Sequence, residues 1–358
     1  MGKVFFTCGP TQLYPTVPAH LHAGLENKLF SISHRSEKAM QLYSTAVEGL
    51  RKLMSIPIDY EIFFVASGTE GMERVIQNCV AVTSGHVVCG AFSRRWMTMS
   101  QQLGKKTEQL SAPDGQIPDI RSNAFSPAVE LICITHNETS TGAMFQSADI
   151  AGLRKQYPHA LVAVDVVSSA PTVSLDFSSV DCVLFSVQKG FGLPAGLGVI
   201  VVGPRAMAKN AELIKKMSVG SYHSFMELKK YAEKNQTPDT PNVLDIYLLG
   251  AVAADLNAIG IDQLRSQTKE RAEKLYQMAE GNTAYSAFVK AASARSLTTI
   301  VFDVAGGSAR VIDSLKEQGI FVSSGYKEFK DTQIRIGNFP AHSVADFERL
   351  LAALKNAI

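Results

Sequence analysis

Four short runs in the first two-thirds of the chain are apolar almost without interruption. They are Leu131-Ile132-Cys133-Ile134-Thr135, Ala160-Leu161-Val162-Ala163-Val164, Cys182-Val183-Leu184-Phe185 and Gly198-Val199-Ile200-Val201-Val202. A strand with one wet face alternates apolar and polar residues, so unbroken runs mark strands covered on both faces. Glu61-Ile62-Phe63-Phe64-Val65 and residues 86–90 read as further strands, each followed by a helical pattern, over 70–81 and 94–103. That alternation predicts an α/β architecture, a mainly parallel sheet covered by crossover helices.

After Pro241 the pattern changes. Helical periodicity dominates residues 242–280, then strand (297–304), helix (308–318), strand (334–336) and helix (344–357) alternate. A smaller α+β domain is expected there, so we divide the chain into a large domain, 15–241, and a small one, 242–358. Residues 1–14 are expected near the small domain. Thr237-Pro238-Asp239-Thr240-Pro241 is the expected boundary, because proline continues neither helix nor ladder.

Composition excludes several classes of function. Of 358 residues, 46% are hydrophobic and 19% charged, which supplies a core and argues against disorder. Lys+Arg 35 against Asp+Glu 33 leaves a net charge of +2, too little for a broad phosphate-binding face, so no nucleic-acid partner is expected. Five cysteines without paired spacing fit neither a zinc ribbon nor a disulfide framework, and no metal is expected. The N-terminus lacks an apolar core, and the apolar stretch 243–261 is broken by Asp245, Asp255 and Asn257. A cytoplasmic protein with no membrane partner is the expectation.

In doubly wound sheets ligands bind beyond the carboxyl ends of the strands. Four strand ends here carry polar groups. Ser67-Gly68-Thr69-Glu70-Gly71 can cradle a phosphate at a helix start, or can simply cap the helix. Asp165 ends an apolar strand, where burial demands a partner, or it simply caps a helix or sits on an exposed turn. Lys189, in Ser186-Val187-Gln188-Lys189-Gly190, is either a surface lysine that snorkels or, among these small residues, a desolvated one whose neutral amine is freed. His136-Asn137-Glu138-Thr139-Ser140-Thr141-Gly142 makes a dense polar loop. A phosphate cradle, an acidic group and a reactive lysine on one sheet edge suit pyridoxal phosphate. A nicotinamide enzyme would need a glycine fingerprint that is missing.

These motifs, together with Cys8-Gly9-Pro10-Thr11, Ser33-His34-Arg35-Ser36, Pro194-Ala195-Gly196-Leu197 and Ile334-Arg335-Ile336-Gly337-Asn338, follow one another in a familiar order. The chain resembles the class V aminotransferases of the fold type I pyridoxal-phosphate enzymes over nearly its whole length. That group includes phosphoserine, serine–pyruvate and alanine–glyoxylate aminotransferases. The resemblance implies that Lys189 is the Schiff-base lysine, which then moves the proton between substrate Cα and cofactor. It implies that Asp165 keeps the pyridine nitrogen protonated. Ser67, Gly68 and Thr69 would bind the phosphate with Gln188 beside them, Thr139 would contact the 3′-oxygen, and Phe92 would stack on the ring. Thr237 would reach the phosphate from a neighbouring subunit, implying a homodimer with shared sites. Arg335 would grip the substrate carboxylate, and His34 and Arg35 would meet a substrate phosphate across the dimer.

The implied reaction converts phosphoserine and 2-oxoglutarate into 3-phosphohydroxypyruvate and glutamate, reversibly. Gly325-Tyr326-Lys327 stands where phosphoserine enzymes often add a His-Arg pair, which keeps a serine or alanine aminotransferase with pyruvate or glyoxylate as the alternative. A lyase on the same fold would keep Lys189 and Asp165. A desulfurase would need a cysteine in the C-terminal third, and the last is Cys182.

Overall fold

The structure is a computed structural model that describes residues 2–122 and 124–357. Its strands, in chain order, begin with β1 (Val4–Phe6), β2 (Glu61–Val65), β3 (Thr83–Val88), β4 (Lys106–Ser111) and β5 (Leu131–Thr135). A two-stranded hairpin follows, β6 (Asn137–Glu138) and β7 (Ala143–Met144). Next come β8 (Leu161–Asp165), β9 (Cys182–Ser186) and β10 (Gly198–Val202). The last are β11 (Tyr285–Ala287), β12 (Thr299–Val304), β13 (Ile320–Ser324) and β14 (Gln333–Gly337).

The helices are α1 (Val17–Glu26), α2 (Glu37–Met54), α3 (Gly68–Cys79), α4 (Ala91–Gln102), α5 (Ser147–Gln156) and α6 (Pro204–Leu213). They continue with α7 (Phe225–Ala232), α8 (Val243–Ile259), α9 (Ile261–Glu280), α10 (Ala309–Glu317) and α11 (Val344–Asn356).

Seven strands form the main sheet in the order β2-β10-β9-β8-β5-β3-β4. Only β10 runs against its neighbours, pairing Gly198 with both Val65 and Ser186. Every residue of β5, β8, β9 and β10 is buried, as their unbroken apolar composition demands. A second sheet, β1-β13-β14-β12-β11, is antiparallel except for β1 beside β13. The N-terminal strand thus lies in the sheet otherwise built from the C-terminal third.

The helix over 70–81 begins two residues early, because Ser67 is its cap: the Ser67 hydroxyl accepts from the Glu70 N–H at 3.1 Å. The boundary placed at 241 also needs correction. Helix α8 is apolar over most of its surface and packs in the core of the main sheet, where Ile246, Leu249 and Val252 are buried. It lies against α2 through small residues: a Cβ on Gly49 would stand 3.0 Å from the Ala253 Cβ, and Gly250 faces Ala46. The passage between the cores falls within α9, whose Leu264 joins the first core and whose Ala272 and Leu275 join the second. Among the described residues no single helix is long and apolar enough to cross a membrane.

Candidate active site

Because β2, β8 and β9 run in one direction, their carboxyl ends bring Ser67, Asp165 and Ser186 to one edge. Asp165 closes β8, and its Oδ1 accepts from the Val167 N–H at 2.8 Å. Burial raises its pKa to about 7, against the opposing pull of that hydrogen bond and of Lys189. Lys189 sits beyond β9, in a loop whose base is closed by Val187 N–H donating to the Leu197 carbonyl at 3.2 Å.

Two glycines set the lysine's place. A Cβ on Gly190 would lie 1.9 Å from the Ala170 carbonyl oxygen, and one on Gly9, whose φ is +118°, would lie 2.6 Å from Lys189 Cε. Only a residue without a side chain lets these backbones approach so closely. Lys189 is 7% exposed. Burial lowers its pKa, and the charge of Asp165 opposes that shift without cancelling it.

The Lys189 Nζ donates to Thr139 Oγ1 at 3.0 Å and lies 5.5 Å from the centre of the Phe92 ring. Arg335, on β14 of the second sheet, donates from Nη1 to the Thr139 carbonyl at 3.0 Å and from Nε to the Ser324 carbonyl at 2.9 Å. Its Nη2 has no partner among the described residues. The Tyr326 ring stands between, 5.4 Å from Phe92 and 5.3 Å from the Arg335 guanidinium carbon.

At the α3 start, Gly68 N–H donates to Ser186 Oγ at 2.6 Å. Neither the backbone N–H nor the hydroxyl of Thr69 has a partner among the described residues, so both remain for an anion, aided by the helix dipole.

One cavity of roughly 260 Å³ gathers nine of the expected residues: Ser67, Gly68, Thr69, Phe92, Thr139, Asp165, Gln188, Lys189 and Arg335. Three others lie elsewhere in the chain. His34 and Thr237 line a separate small cleft. Arg35 is engaged locally, its Nη1 donating at 2.8 Å to Gln236 Oε1 and to the Thr237 carbonyl, with its guanidinium 5.1 Å from the Tyr231 ring centre. Within one chain these three do not reach the Lys189 cavity.

Sequence reasoning passed over Cys8, Arg95, Ser186, Ser323 and Tyr326 as lining groups. Only Ser186, at the end of an apolar strand, carried a usable signal. It also passed over the part played by Glu138. That buried carboxylate accepts from the backbone N–H groups of Phe92 (3.2 Å) and Ser93 (2.9 Å) and from the hydroxyls of Ser93 (2.9 Å) and Ser140 (2.7 Å). It thereby caps α4 and fixes Phe92 over the lysine.

A buried lysine, a buried acid and a helix start with free donors thus share one cavity, and comparison with known proteins supplies the class of the chain. The family model for aminotransferase class-V matches residues 4–331, and the chain belongs to that family. Its substrates as an aminotransferase are amino acids and 2-oxo acids.

The chain is 41% identical to a phosphoserine aminotransferase from Cytophaga hutchinsonii, whose crystal structure superposes with a TM-score of 0.98 over 99% of both chains. It is 30% identical to the phosphoserine aminotransferase of Corynebacterium glutamicum, across 99% of this chain and 94% of that one. A pyridoxal-phosphate-bound phosphoserine aminotransferase from Trichomonas vaginalis shares the fold, with a TM-score of 0.85 at 19% identity over 99% of both chains.

Proposed function

We propose that the protein is a pyridoxal-phosphate-dependent transaminase that converts phosphoserine and 2-oxoglutarate to 3-phosphohydroxypyruvate and glutamate, reversibly. The observation that carries the cofactor is the Lys189–Asp165 pair, both buried, facing the unspent donors of Thr69 across one cavity. The 41% identity to the Cytophaga enzyme over almost the full length carries the substrate.

The residues present suit the cofactor. Thr69, Gly68 and Ser67 would take its phosphate, Asp165 its ring nitrogen, and Phe92 one face of its ring. When bound, pyridoxal phosphate supplies an electron sink for the carbon from which a proton is removed. Lys189, held by Thr139 and with its pKa lowered by burial, would take that proton from substrate Cα and later return it. Arg335, fixed through Nε and Nη1, would orient the substrate by offering its unpaired, charged Nη2 to a carboxylate. Asp165, in its charged form, would keep a proton on the ring nitrogen, and its burial would strengthen that interaction.

His34, Arg35 and Thr237 belong to this reading as groups that a second copy of the chain presents to the site, which makes the functional unit a homodimer. A second reading rests on one observation. Tyr326 places a ring, not a cation, beside Arg335, which favours a smaller uncharged amino donor such as serine or alanine with pyruvate or glyoxylate.

Half-reactions separate the two. Phosphoserine, serine, alanine and glutamate are added singly to the cofactor-loaded protein, and the cofactor's near-visible absorbance is followed. Phosphoserine and glutamate should discharge the band fastest. Faster discharge by alanine or serine establishes the second reading. Lys189→Ala should abolish discharge by every amino acid while the far-ultraviolet circular dichroism stays unchanged.

A further inference from the structure

A second, larger cavity of roughly 450 Å³ lies behind the β6–β7 hairpin, sharing no residue with the Lys189 cavity. The hairpin separates them: Thr139 faces the lysine, whereas His136 and Met144, at its base, line the second cavity. Residues of α9 close the far side, so this cavity lies where the two cores meet.

Its floor is apolar, formed by Met144, Phe145, Val173 and Leu297. Its polar groups are cationic or neutral, since no carboxylate among the described residues lines it. Arg265 is anchored by donating from Nε to the Thr172 carbonyl at 3.2 Å and from Nη2 to the Val173 carbonyl at 3.1 Å. Its remaining contact is a 3.3 Å pair with Asp262, a carboxylate 96% exposed to solvent. Lys269 has only a long, exposed 3.8 Å pair with Glu273. Surface pairs of this kind contribute little and yield readily to a better-placed anion.

The third polar group is His136. It is buried, its Nδ1 lies 2.9 Å from Ser169 Oγ, and its Nε2 has no partner among the described residues. Burial holds its pKa down near 4, so the ring is neutral at physiological pH. The Ser169 contact suits either tautomer; a bound carboxylate selects the one with the proton on Nε2, Nδ1 then accepting from the Ser169 hydroxyl.

An apolar floor with a few convergent polar groups, in a volume of roughly 300–1,000 Å³, is the usual character of a small-molecule site. We infer that this cavity binds a small amphipathic carboxylate, its apolar body on Phe145 and Val173 and its anionic end toward Lys269, Arg265 and the His136 Nε2.

The test is calorimetric titration of the full chain with 3-phenylpropionate and with its amine counterpart, 3-phenylpropylamine. The acid should bind saturably and at least about tenfold more tightly than the amine. Lys269→Glu, a surface change that spares the fold, should weaken the acid at least about fivefold. Val173→Trp should abolish its binding by filling the cavity. Arg335→Ala should leave it unchanged. The inference is overturned if the amine binds as well as the acid or Arg335→Ala removes the binding. It is also overturned if Lys269→Glu leaves the acid's affinity unaltered, or if nothing saturates by about 10 mM.

Discussion

Thr139 joins the two ends of the chemistry. Its hydroxyl holds the lysine amine and its carbonyl holds Arg335, the arginine we propose to meet the substrate. Arg335→Lys keeps a charge but loses the fork, so the KM for the amino donor should rise about 10- to 100-fold with a smaller change in kcat. Steady-state kinetics at several donor concentrations check this.

Asp165 makes a pH-dependent prediction. Its folded pKa of about 7 lies above the ordinary 3.8, so the folded state holds a proton that the unfolded chain has released between those values. Stability therefore declines as pH rises from about 4 to about 7 and stays reduced above it. Asp165→Asn has no proton to lose, so the cofactor-free variant should gain on the wild type across that window, by up to about 4 kcal/mol. Urea unfolding at pH 4.5, 6 and 8 measures the gap; a gap that shrinks with pH refutes the assignment. The same variant should lose transamination.

At this scale Lys189 and Asp165 stood out as candidates because Asp165 ends an apolar strand and Lys189 lies three residues beyond one. Cys8, Arg95 and Tyr326 were not, because the cavity collects them from distant segments that show no local pattern of their own.

The element most dependent on a remote residue is α4. Its first N–H groups are satisfied by Glu138, which is distant in sequence and sits on the hairpin. Glu138→Ala leaves those buried donors unpaired and should cost about 3 kcal/mol of unfolding free energy, with Phe92 displaced from the lysine. Glu138→Gln, which retains an acceptor oxygen, should cost less. Denaturant titration of both variants orders them, and equal costs would remove the capping role.

Elements differed in how plainly they could be read. Strands β5, β8, β9 and β10 stood out because burial on both faces excludes polar residues. Strand β4, at the sheet edge, was passed over: Lys106, Glu108 and Gln109 give its sequence the look of a loop, and most of it is half-buried or exposed. β1, β11 and β13 are short or half-exposed and take their structure from neighbours in the second sheet.

Across the whole molecule, the active cavity draws on both cores, since Arg335 comes from the second sheet and the remaining chemistry from the first. The misplaced boundary has the same origin. Proline marks a break in the chain, whereas the division between cores depends on what each helix packs against, and α8 packs on α2.

If His34, Arg35 and Thr237 serve a neighbouring copy, two defective chains should complement. Lys189→Ala and Arg35→Ala subunits, mixed and allowed to exchange, form hybrid dimers with one intact site each. Phosphoserine turnover should recover to about a quarter of wild type. Recovery no greater than the sum of the separate variants would show that Arg35 acts within its own subunit or not at all.

The reversed strand β10 has its own consequence. Because Gly198 pairs back against Ser186, residues 187–197 form a loop whose two ends are fastened to each other by the sheet. The lysine therefore rides on a ring, not on an arm. Lengthening that ring on its far side, at 194–196, would move the lysine little, whereas a single residue inserted beside Ser186 or Gly198 would swing it away from the carboxylate it faces. A designer wishing to widen the pocket has room on one side of this ring and almost none on the other.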